Sequence, residues 1–202
     1  MIANLYKLNK IKSDKDIWND FRNGESYALS HIYYQYAQFL YRYGRKFSND
    51  VELIQDSIQD LFFDLIRMRK NLGETDSIKF YLLSSFRRKL NSNLQKQSKF
   101  VNNKIKNLEF EIVYSAERAM VDKENLTERD ELIKKALLEL STKQREILYY
   151  RFTCNFEYEH ICDIMSLKYD SARKLTHRAL KSLKKTLSIN EILVLFLGTF
   201  SK

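Results

Sequence analysis

The sequence predicts an all-α protein in which an N-terminal helical bundle is linked to a C-terminal helix-turn-helix domain. The 202 residues include four Gly and no Pro, so the residues that punctuate strands and hairpins are nearly absent. Leu, Lys, Glu, Ile and Arg, which favour helices, are abundant. Apolar residues also recur at three- and four-residue steps in successive blocks, which indicates amphipathic helices. The length is sufficient for one or two packed domains.

The N-terminal part begins with two predicted helices. Ser13 or Asp14 can cap a short helix that carries Ile17, Trp18 and Phe21, and Gly24 can close it. A longer helix starts at Ser26 and includes the aromatic run IYYQYAQFLYRY, residues 32–43. We interpret this run mainly as core packing, with one or two rings exposed to a partner. Its apolar positions are Leu29, Ile32, Tyr33, Tyr36, Phe39, Leu40 and Tyr43.

The third predicted helix, which Asp50 can cap, contains the acidic stretch ELIQDSIQDLFFDLI, residues 52–66. Four acidic residues repeat there at every fourth position, and no Lys or Arg occurs between Lys46 and Arg67. Like charges at this spacing weaken a helix by a few tenths of a kcal/mol per pair, which favours a functional reason for the stripe. We expect the helix to end near Leu72. The acidic residues are Glu52, Asp56, Asp60 and Asp64, and the predicted apolar face is Leu53, Ile54, Ile58, Leu61, Phe62, Leu65 and Ile66.

The rest of the chain divides into a fourth helix, a linker, a second domain and a tail. The fourth helix should start at Ser77 and run to about Lys96, so that residues 1–97 form one bundle. Residues 98–126 read as a linker, partly helical near 107–120, and regular periodicity over 127–187 predicts the second domain. The tail, residues 188–202, is apolar for roughly a dozen residues, short of the ~20 that a membrane-spanning helix needs.

The net charge of +9 is unevenly distributed. Residues 67–107 hold eleven Lys or Arg and two acidic residues, and residues 142–187 hold ten and five. Between them, residues 108–141 hold nine acidic and five basic residues. Two basic blocks flanking an acidic spacer favour two separate polyanion-binding modules, while solvated helix faces are the simpler alternative for either block alone.

Residues 156–185 show the spacing of a helix-turn-helix, in which the second helix enters the major groove of DNA. The first helix has Ile161, Ile164 and Met165 on one face, and a short turn at residues 166–168 buries Leu167. A surface helix that is merely basic is the alternative. The second helix directs Ala172, Leu175, Ala179 and Leu183 inward, and its outward residues, which could contact bases and phosphates, are Ser171, Arg173, Lys174, His177, Arg178 and Lys181.

Residues 136–185 resemble the C-terminal promoter-reading domain of extracytoplasmic-function (ECF) RNA polymerase sigma factors, members of the sigma-70 superfamily. The resemblance is carried by a small-Leu-x-x-Leu entry at 136–140, Gln-Arg-Glu at 144–146, Tyr-Arg-Phe at 150–152 and Arg-Ala-Leu-Lys at 178–181. In the N-terminal half, DSIQDLFFDLI resembles the Val-Gln-Glu-x-Phe helix of the family. IKFYLLSSFRRKLNSNLQK, residues 78–96, resembles its promoter-melting helix. The two domains would then be sigma region 2 and sigma region 4.

The resemblance implies a transcription initiation factor with two kinds of partner, core RNA polymerase (the clamp and flap) and promoter DNA. The implied polymerase-binding residues are Gln55, Asp56, Ile58, Gln59, Asp60, Leu61, Phe62 and Asp64. The implied minus-ten residues, which bind the non-template strand, are Asn71, Lys79, Tyr81, Arg87, Arg88, Asn91 and Lys96, and the loop at 71–77 could hold a flipped base. The minus-thirty-five element would be read as duplex by the outward residues of the second helix named above. An anti-sigma factor is a further partner that the resemblance suggests.

The sequence departs from the family pattern at a few positions. Asn155 and Ser166 stand where the family has Gly; Asn tolerates the left-handed backbone better than most residues, and Ser is small, so we expect the fold to survive these changes. His160 and Cys162 replace Glu and Ala. Arg88 replaces an Asn of the melting helix, which affects which bases are preferred.

Other classes of function find less support. A conventional helix-turn-helix regulator with an N-terminal dimerisation or ligand domain is the main alternative, and an RNA-binding adaptor is a second. Cys154, His160 and Cys162 give only three ligands, too few for structural zinc, and the acidic stripe lacks the Glu-x-x-His pairs of di-iron bundles. We therefore predict no metal, no cofactor, no small-molecule substrate and no enzymatic activity. Two cysteines without a secretory leader favour the cytoplasm.

Overall fold

The computed structural model describes residues 12–100 and 128–192, and all regular elements in these two ranges are helical. The chain forms two compact units, with residues 12–100 in the first and 128–192 in the second. The predicted helical content near 107–120 lies outside the described residues. Within both ranges, every helix is too short or too polar to cross a lipid bilayer.

The first unit contains four helices: α1 (Asp14–Asn23), α2 (Ser26–Gly44), α3 (Val51–Met68) and α4 (Ile78–Phe100). Ser13 caps α1 in a capping box and Gly24 closes it at φ 94°, a left-handed conformation that Gly accepts without strain. Asp50 caps α3 as predicted. α3 stops at Met68 and a 3₁₀ turn over Arg69–Asn71 follows, so helical structure ends close to the predicted Leu72. The predicted end of α4 was wrong, because α4 continues past Lys96 to Phe100.

The core of the first unit lies between α2, α3 and α4, and α1 packs against α2, α4 and the 3₁₀ turn over Arg69–Asn71. Its largest fully buried side chains are Trp18, Ile32, Leu40, Tyr43, Ile54, Ile78, Leu82, Leu83, Phe86 and Leu90. Ile66, predicted for the apolar face of α3, is instead 45% exposed. Within the aromatic run, Ile32, Leu40 and Tyr43 are buried, and Tyr36, Phe39 and Tyr41 are half-buried, so less of the run is core than predicted. Tyr34 is 84% exposed and Tyr33 45%, so two rings are accessible, as predicted.

The second unit contains α5 (Glu128–Leu138), α6 (Thr142–Leu148), α7 (Tyr158–Met165) and α8 (Tyr169–Thr186). Ser141 caps α6 in a capping box with Gln144, and a π-helical turn over Tyr149–Thr153 follows α6. A further helix begins at Ile189, and Ile192 is buried in the cluster formed by α5 and α8. The start of the apolar tail is therefore part of the core of this unit.

In the described part of the second unit, two residues that are not Gly have positive φ. Asn155 precedes α7 at φ 57°, and Ser166 ends α7 at φ 53°. At both positions, the family that the sequence resembles has Gly. Ser166 creates the turn between α7 and α8, so the left-handed backbone there fixes the helix-turn-helix geometry.

Candidate functional site

The acidic stripe on α3 is largely accessible. Gln55, Asp56, Gln59 and Asp60 are exposed and Asp64 is half-buried. These five residues, which we call the acidic face, lie on the side of α3 away from the core. Residues three and four apart are neighbours on a helix surface, so they form one continuous patch.

Three of the predicted polymerase-binding residues lie elsewhere. Ile58, Leu61 and Phe62 are at most 6% exposed. They are located on the core side of α3, where they pack the helix onto the bundle, because apolar residues three and four apart line one face. These side chains support the acidic face from behind and are not accessible for docking.

Part of the acidic face is neutralised by α4. Lys89 Nζ lies 2.7 Å from Asp64 Oδ2 and 3.8 Å from Asp60 Oδ2. The Lys89 ammonium, followed by Arg67, holds the pKa of the Asp64 carboxyl below its usual value. Among the described residues, Asp56 has no ion-pair partner.

Further polar contacts join α3 to α4 beside this ion pair. Asn93 donates to Ser57 Oγ at 3.0 Å, and Gln97 donates to the Asp50 carboxylate at 2.9 Å. The pKa of Asp50 is lowered, first by the backbone N–H of Leu53 and then by Gln97. The two helices are therefore fixed in register along their length.

An open groove of about 380 Å³ lies between α3 and α4. Its lining combines the exposed end of the acidic face with α4 residues: Leu53, Asp56, Gln59, Asp60, Asn93 and Lys96. Lys96, predicted to bind minus-ten DNA, is thus located beside two carboxylates. A phosphate backbone at this position would meet Asp56 and Asp60, which is unfavourable.

The remaining predicted minus-ten residues are distributed over the outward surface of α4. Arg88 is exposed and donates to Ser85 at 3.1 Å, while Asn91 is half-buried and accepts from Gln95 at 3.4 Å. Arg87 is half-buried beside Arg88. These residues face away from the acidic α3, so α4 presents a basic and amide-bearing surface to solvent.

Two predicted minus-ten residues have structural contacts. The Lys79 ammonium lies 4.9 Å from the centre of the Phe39 ring, in a cation–π contact. The Tyr81 ring lies 4.7 Å from the buried Trp18 ring. Both side chains are half-buried at the N-terminal end of α4 and border the loop at 71–77.

More than half of the residues of that loop are exposed. Asn71, Gly73, Glu74 and Asp76 are exposed, while Leu72 is 7% exposed and anchors the loop to the core. Asn71, the predicted minus-ten residue of the loop, lies in the 3₁₀ turn that leads into it. The loop therefore offers accessible backbone and side chains next to the basic surface of α4.

All six predicted minus-thirty-five residues are exposed on α8. Ala172, Thr176, Ala179 and Leu183 are buried on the opposite face, with Leu175 half-buried. The polar and basic face of α8 is therefore free of intramolecular packing, as a helix that enters a major groove requires. The exposed residues are Ser171, Arg173, Lys174, His177, Arg178 and Lys181.

Sequence reasoning missed an aromatic pair at the start of α8. Tyr169 is 46% exposed, and its ring centre lies 5.6 Å from that of Tyr158 at the start of α7. Arg151 in turn lies over the Tyr158 ring at 5.1 Å. The N-terminal residues of a recognition helix contact base edges, so the position of Tyr169, directly after the turn at residues 166–168, was the signal in the sequence.

An apolar extension of the acidic face was also missed. Phe63 is 65% exposed and Ile66 45% exposed, one and two turns beyond Gln59 on α3. On α2, Tyr33 packs edge-on against Phe62 at 5.0 Å. Large exposed apolar side chains next to a charged patch are typical of protein-interaction surfaces.

The residues considered as zinc ligands, Cys154, His160 and Cys162, supply two thiols and one imidazole. Cys154 is buried, and Cys162 is half-buried. Burial, aided by Asp163 and Glu159, raises the pKa of the Cys162 thiol. In the described part of the chain, no three His, Cys, Asp or Glu side chains are grouped as metal ligands.

The fold and these surfaces define a two-domain, all-α protein of the DNA-binding class. The sequence matches the family model of sigma-70 region 2 over residues 32–100 and that of sigma-70 region 4 over residues 130–183. The two matches together span more than half of the chain. The chain therefore belongs to the sigma-70 family, whose members direct promoter-specific transcription initiation by RNA polymerase. The predicted order of region 2 and region 4 is confirmed, and the helix-turn-helix regulator is not favoured.

Solved structures show a similar fold. CnrH, in a complex with the cytosolic domain of CnrY, is 13% identical with a TM-score of 0.56, covering 86% of this chain and 96% of that chain. The sigma factor RpoE from Bartonella quintana, in a complex with the anti-sigma factor NepR, is 18% identical with a TM-score of 0.54, covering 79% and 96%. A comparison with curated protein sequences gives no match.

Proposed function

We propose that the two charged surfaces of the first unit have separate partners. The acidic face of α3 docks on core RNA polymerase, and the outward surface of α4 with the loop at 71–77 binds the non-template strand of the minus-ten element. In the second unit, the exposed face of α8 reads the minus-thirty-five element as duplex. These roles extend the family assignment to particular residues.

The observation that carries this proposal is the segregation of charge between α3 and α4. Lys89, an α4 cation that points to α3, is held in ion pairs by Asp64 and Asp60. Arg87 and Arg88 lie on the other side of α4, where single-stranded DNA can approach without meeting the carboxylates. One helix is thus fitted to a basic protein surface and the next to a polyanion.

Docking by the acidic face is tested by charge reversal. Asp56→Lys is preferable to Asp60→Lys because Asp60 also lies near Lys89, so its reversal would disturb the α3–α4 interface. Asp163→Lys is the matched control, since Asp163 is exposed on α7 in the other unit. We expect Asp56→Lys to weaken binding to core polymerase at least tenfold with unchanged thermal unfolding, and Asp163→Lys to leave it unchanged. Equal affinities for Asp56→Lys and the parent would reject this docking surface.

The proposal also covers enzymatic activity, location and a third partner. The polymerase carries out the chemistry of transcription, and this chain is not itself an enzyme. It acts in the cytoplasm, where polymerase and promoters are located. An anti-sigma factor is a third partner, supported by the exposed Phe63 next to the acidic face on α3, which gives a competitor for the polymerase surface an apolar anchor.

A further inference from the structure

α1 connects directly to the loop at 71–77 and to the first turn of α4. The indole N–H of Trp18 donates to the carbonyl oxygen of Gly73 at 2.8 Å. The Asp14 carboxylate accepts the backbone N–H of Ile78, the first residue of α4, also at 2.8 Å. Lys15 adds an exposed ion pair with Glu74 at 3.7 Å. Three side chains of one short helix therefore hold consecutive parts of a segment more than fifty residues away in sequence.

The two short bonds of α1 come from firmly placed groups. Trp18 is fully buried, with its ring packed at 5.5 Å from Phe21 and 4.7 Å from Tyr81. Asp14 is further fixed by Tyr36, which donates to its other carboxylate oxygen at 3.4 Å. Burial, with the Asp14 charge as the next cause, raises the pKa of Tyr36, so its hydroxyl stays a donor. A rigid donor and a rigid acceptor thus flank the loop.

Besides the buried Leu72 side chain, the described contacts that fix the loop backbone are few. Within the described part of the chain, its other hydrogen bonds are local: Thr75 and Ser77 bond to each other, and Ser77 caps α4. Gly73 has no side chain to pack, and a Cβ at this position would meet no atom within 4 Å. Ordering each free residue costs about 1–2 kcal/mol of conformational entropy. A ligand that binds an already ordered loop does not bear this cost again.

We propose that Trp18 and Asp14 are positioning residues for minus-ten recognition: through Gly73 and Ile78 they hold the loop at 71–77 ready to receive an unstacked base. α1 lies before the segment matched by the region 2 model, which begins at residue 32. The inference rests on the proposed function of the loop. Neither residue contacts DNA; each acts through the backbone that it holds.

The experiment uses holoenzyme assembled from the full chain and core polymerase. The probe is a fork-junction DNA with a duplex upstream part and a single-stranded non-template minus-ten segment, taken from a promoter selected with the parent holoenzyme. An abasic site is placed at each minus-ten position in turn, and the loss of affinity at each position is measured. In the parent, we expect one or two positions to show a large abasic penalty, which marks the captured base.

Trp18→Phe keeps an aromatic ring in the core and removes the N–H donor. We expect it to reduce the abasic penalty at the captured base by about five- to tenfold, with unchanged penalties elsewhere and unchanged affinity for core polymerase. Ile32→Val is the control, because Ile32 is buried in α2 of the same unit and its truncation lowers stability without releasing the loop. Asp14→Ala removes the second contact, in which the Asp14 carboxylate accepts the backbone N–H of Ile78. If Trp18→Phe does not fold, Asp14→Ala alone tests the inference.

The outcomes separate the inference from the proposed function. If the parent shows an abasic penalty at one position and both Trp18→Phe and Asp14→Ala retain that penalty in full, the inference is overturned and the proposed function stands. A parent holoenzyme with no abasic-sensitive minus-ten position would overturn both. A reduced penalty in Ile32→Val of the same size as in Trp18→Phe would assign the effect to general stability and overturn the positioning role.

Discussion

Lys89 on α4 donates to Asp64 on α3 at 2.7 Å and lies 3.8 Å from Asp60, so half of the acidic stripe is paired within the molecule. The stripe therefore has two roles. Asp64 helps to fix α3 against α4, while Asp56, with Gln55 and Gln59, is left for a partner. A self-repelling helix is stable here because a cation from its neighbour offsets the repulsion where the carboxylates are closest to the core.

Removal of this cation should destabilise the first unit. Lys89→Met retains the aliphatic stem and leaves Asp60 and Asp64 facing each other across one helical turn. Because the pair is partly exposed, we expect a loss of about 1 kcal/mol in the free energy of unfolding. Urea unfolding measures it, with Lys70→Met as the control, since Lys70 is exposed in the 3₁₀ turn. Equal losses in the two variants would show that the Lys89 ion pairs do not stabilise the bundle.

Acid should weaken the same interface. The pKa values of Asp64 and Asp50 are lowered in the folded chain, by Lys89 and by the backbone N–H of Leu53 respectively. A carboxyl whose folded pKa is depressed adds stability above its unfolded pKa of about 4, and this stability is lost as the pH falls through the folded value.

The difference between Asp64→Asn and the parent should therefore depend on pH. At pH 6 the variant should be less stable, and the two should converge as the pH falls through the lowered pKa of Asp64. Urea midpoints measured from pH 2 to pH 6 check this. A difference that stays constant over the whole range would contradict an ionic contribution from Asp64.

The turn between α7 and α8 contains removable strain. Ser166 has φ 53°, where a side chain other than that of Gly costs roughly 1 kcal/mol. Ser166→Gly should raise the free energy of unfolding of the second unit by about 0.5–1 kcal/mol, the remainder being offset by unfolded-state entropy. Thermal unfolding measures it, with Ser171→Gly on α8 as the control, which should destabilise by about 0.5 kcal/mol. A lower melting temperature for Ser166→Gly would contradict the strain.

Promoter duplex binding should depend on the exposed face of α8. If Arg173 and Lys174 each neutralise a phosphate, each alanine variant lowers the slope of log affinity against log salt by about 0.9. Lys135→Ala is the control, because Lys135 is exposed on α5. Filter binding or anisotropy of the holoenzyme on duplex minus-thirty-five DNA between 50 and 300 mM salt, roughly the range in which such slopes are resolved, is the measurement. Parent-like slopes for both variants would remove α8 from the interface.

Local signals in the sequence predicted much of the fold. Ser13 and Asp50 each cap a helix as predicted, and Gly24 closes α1 in a left-handed conformation. Such features could be read because a cap depends on residues a few positions away. The exposed residues of α8 were identified in the same way, from the spacing of buried residues on one helix.

The contacts between helices were not predictable. Lys89 and Lys96 belong to the basic block of α4, yet one pairs with α3 and the other lines a groove with its carboxylates. Ile66 is at the edge of an apolar face, where a small rotation of the helix decides between core and solvent. The bond from Trp18 to Gly73 joins segments 55 residues apart, and no local pattern encodes it.

The most direct test of the account is transcription in vitro with core polymerase and templates whose upstream sequence is randomised. The parent chain should yield transcripts from templates that share two sequence elements upstream of the start site. One element is read as duplex and the other is melted. Asp56→Lys should abolish these transcripts, Arg88→Ala should change the selected bases only in the downstream element, and Arg173→Ala only in the upstream element. Transcripts from templates that share no upstream elements would contradict the account. So would the selection of identical upstream sequences by the parent and all three variants.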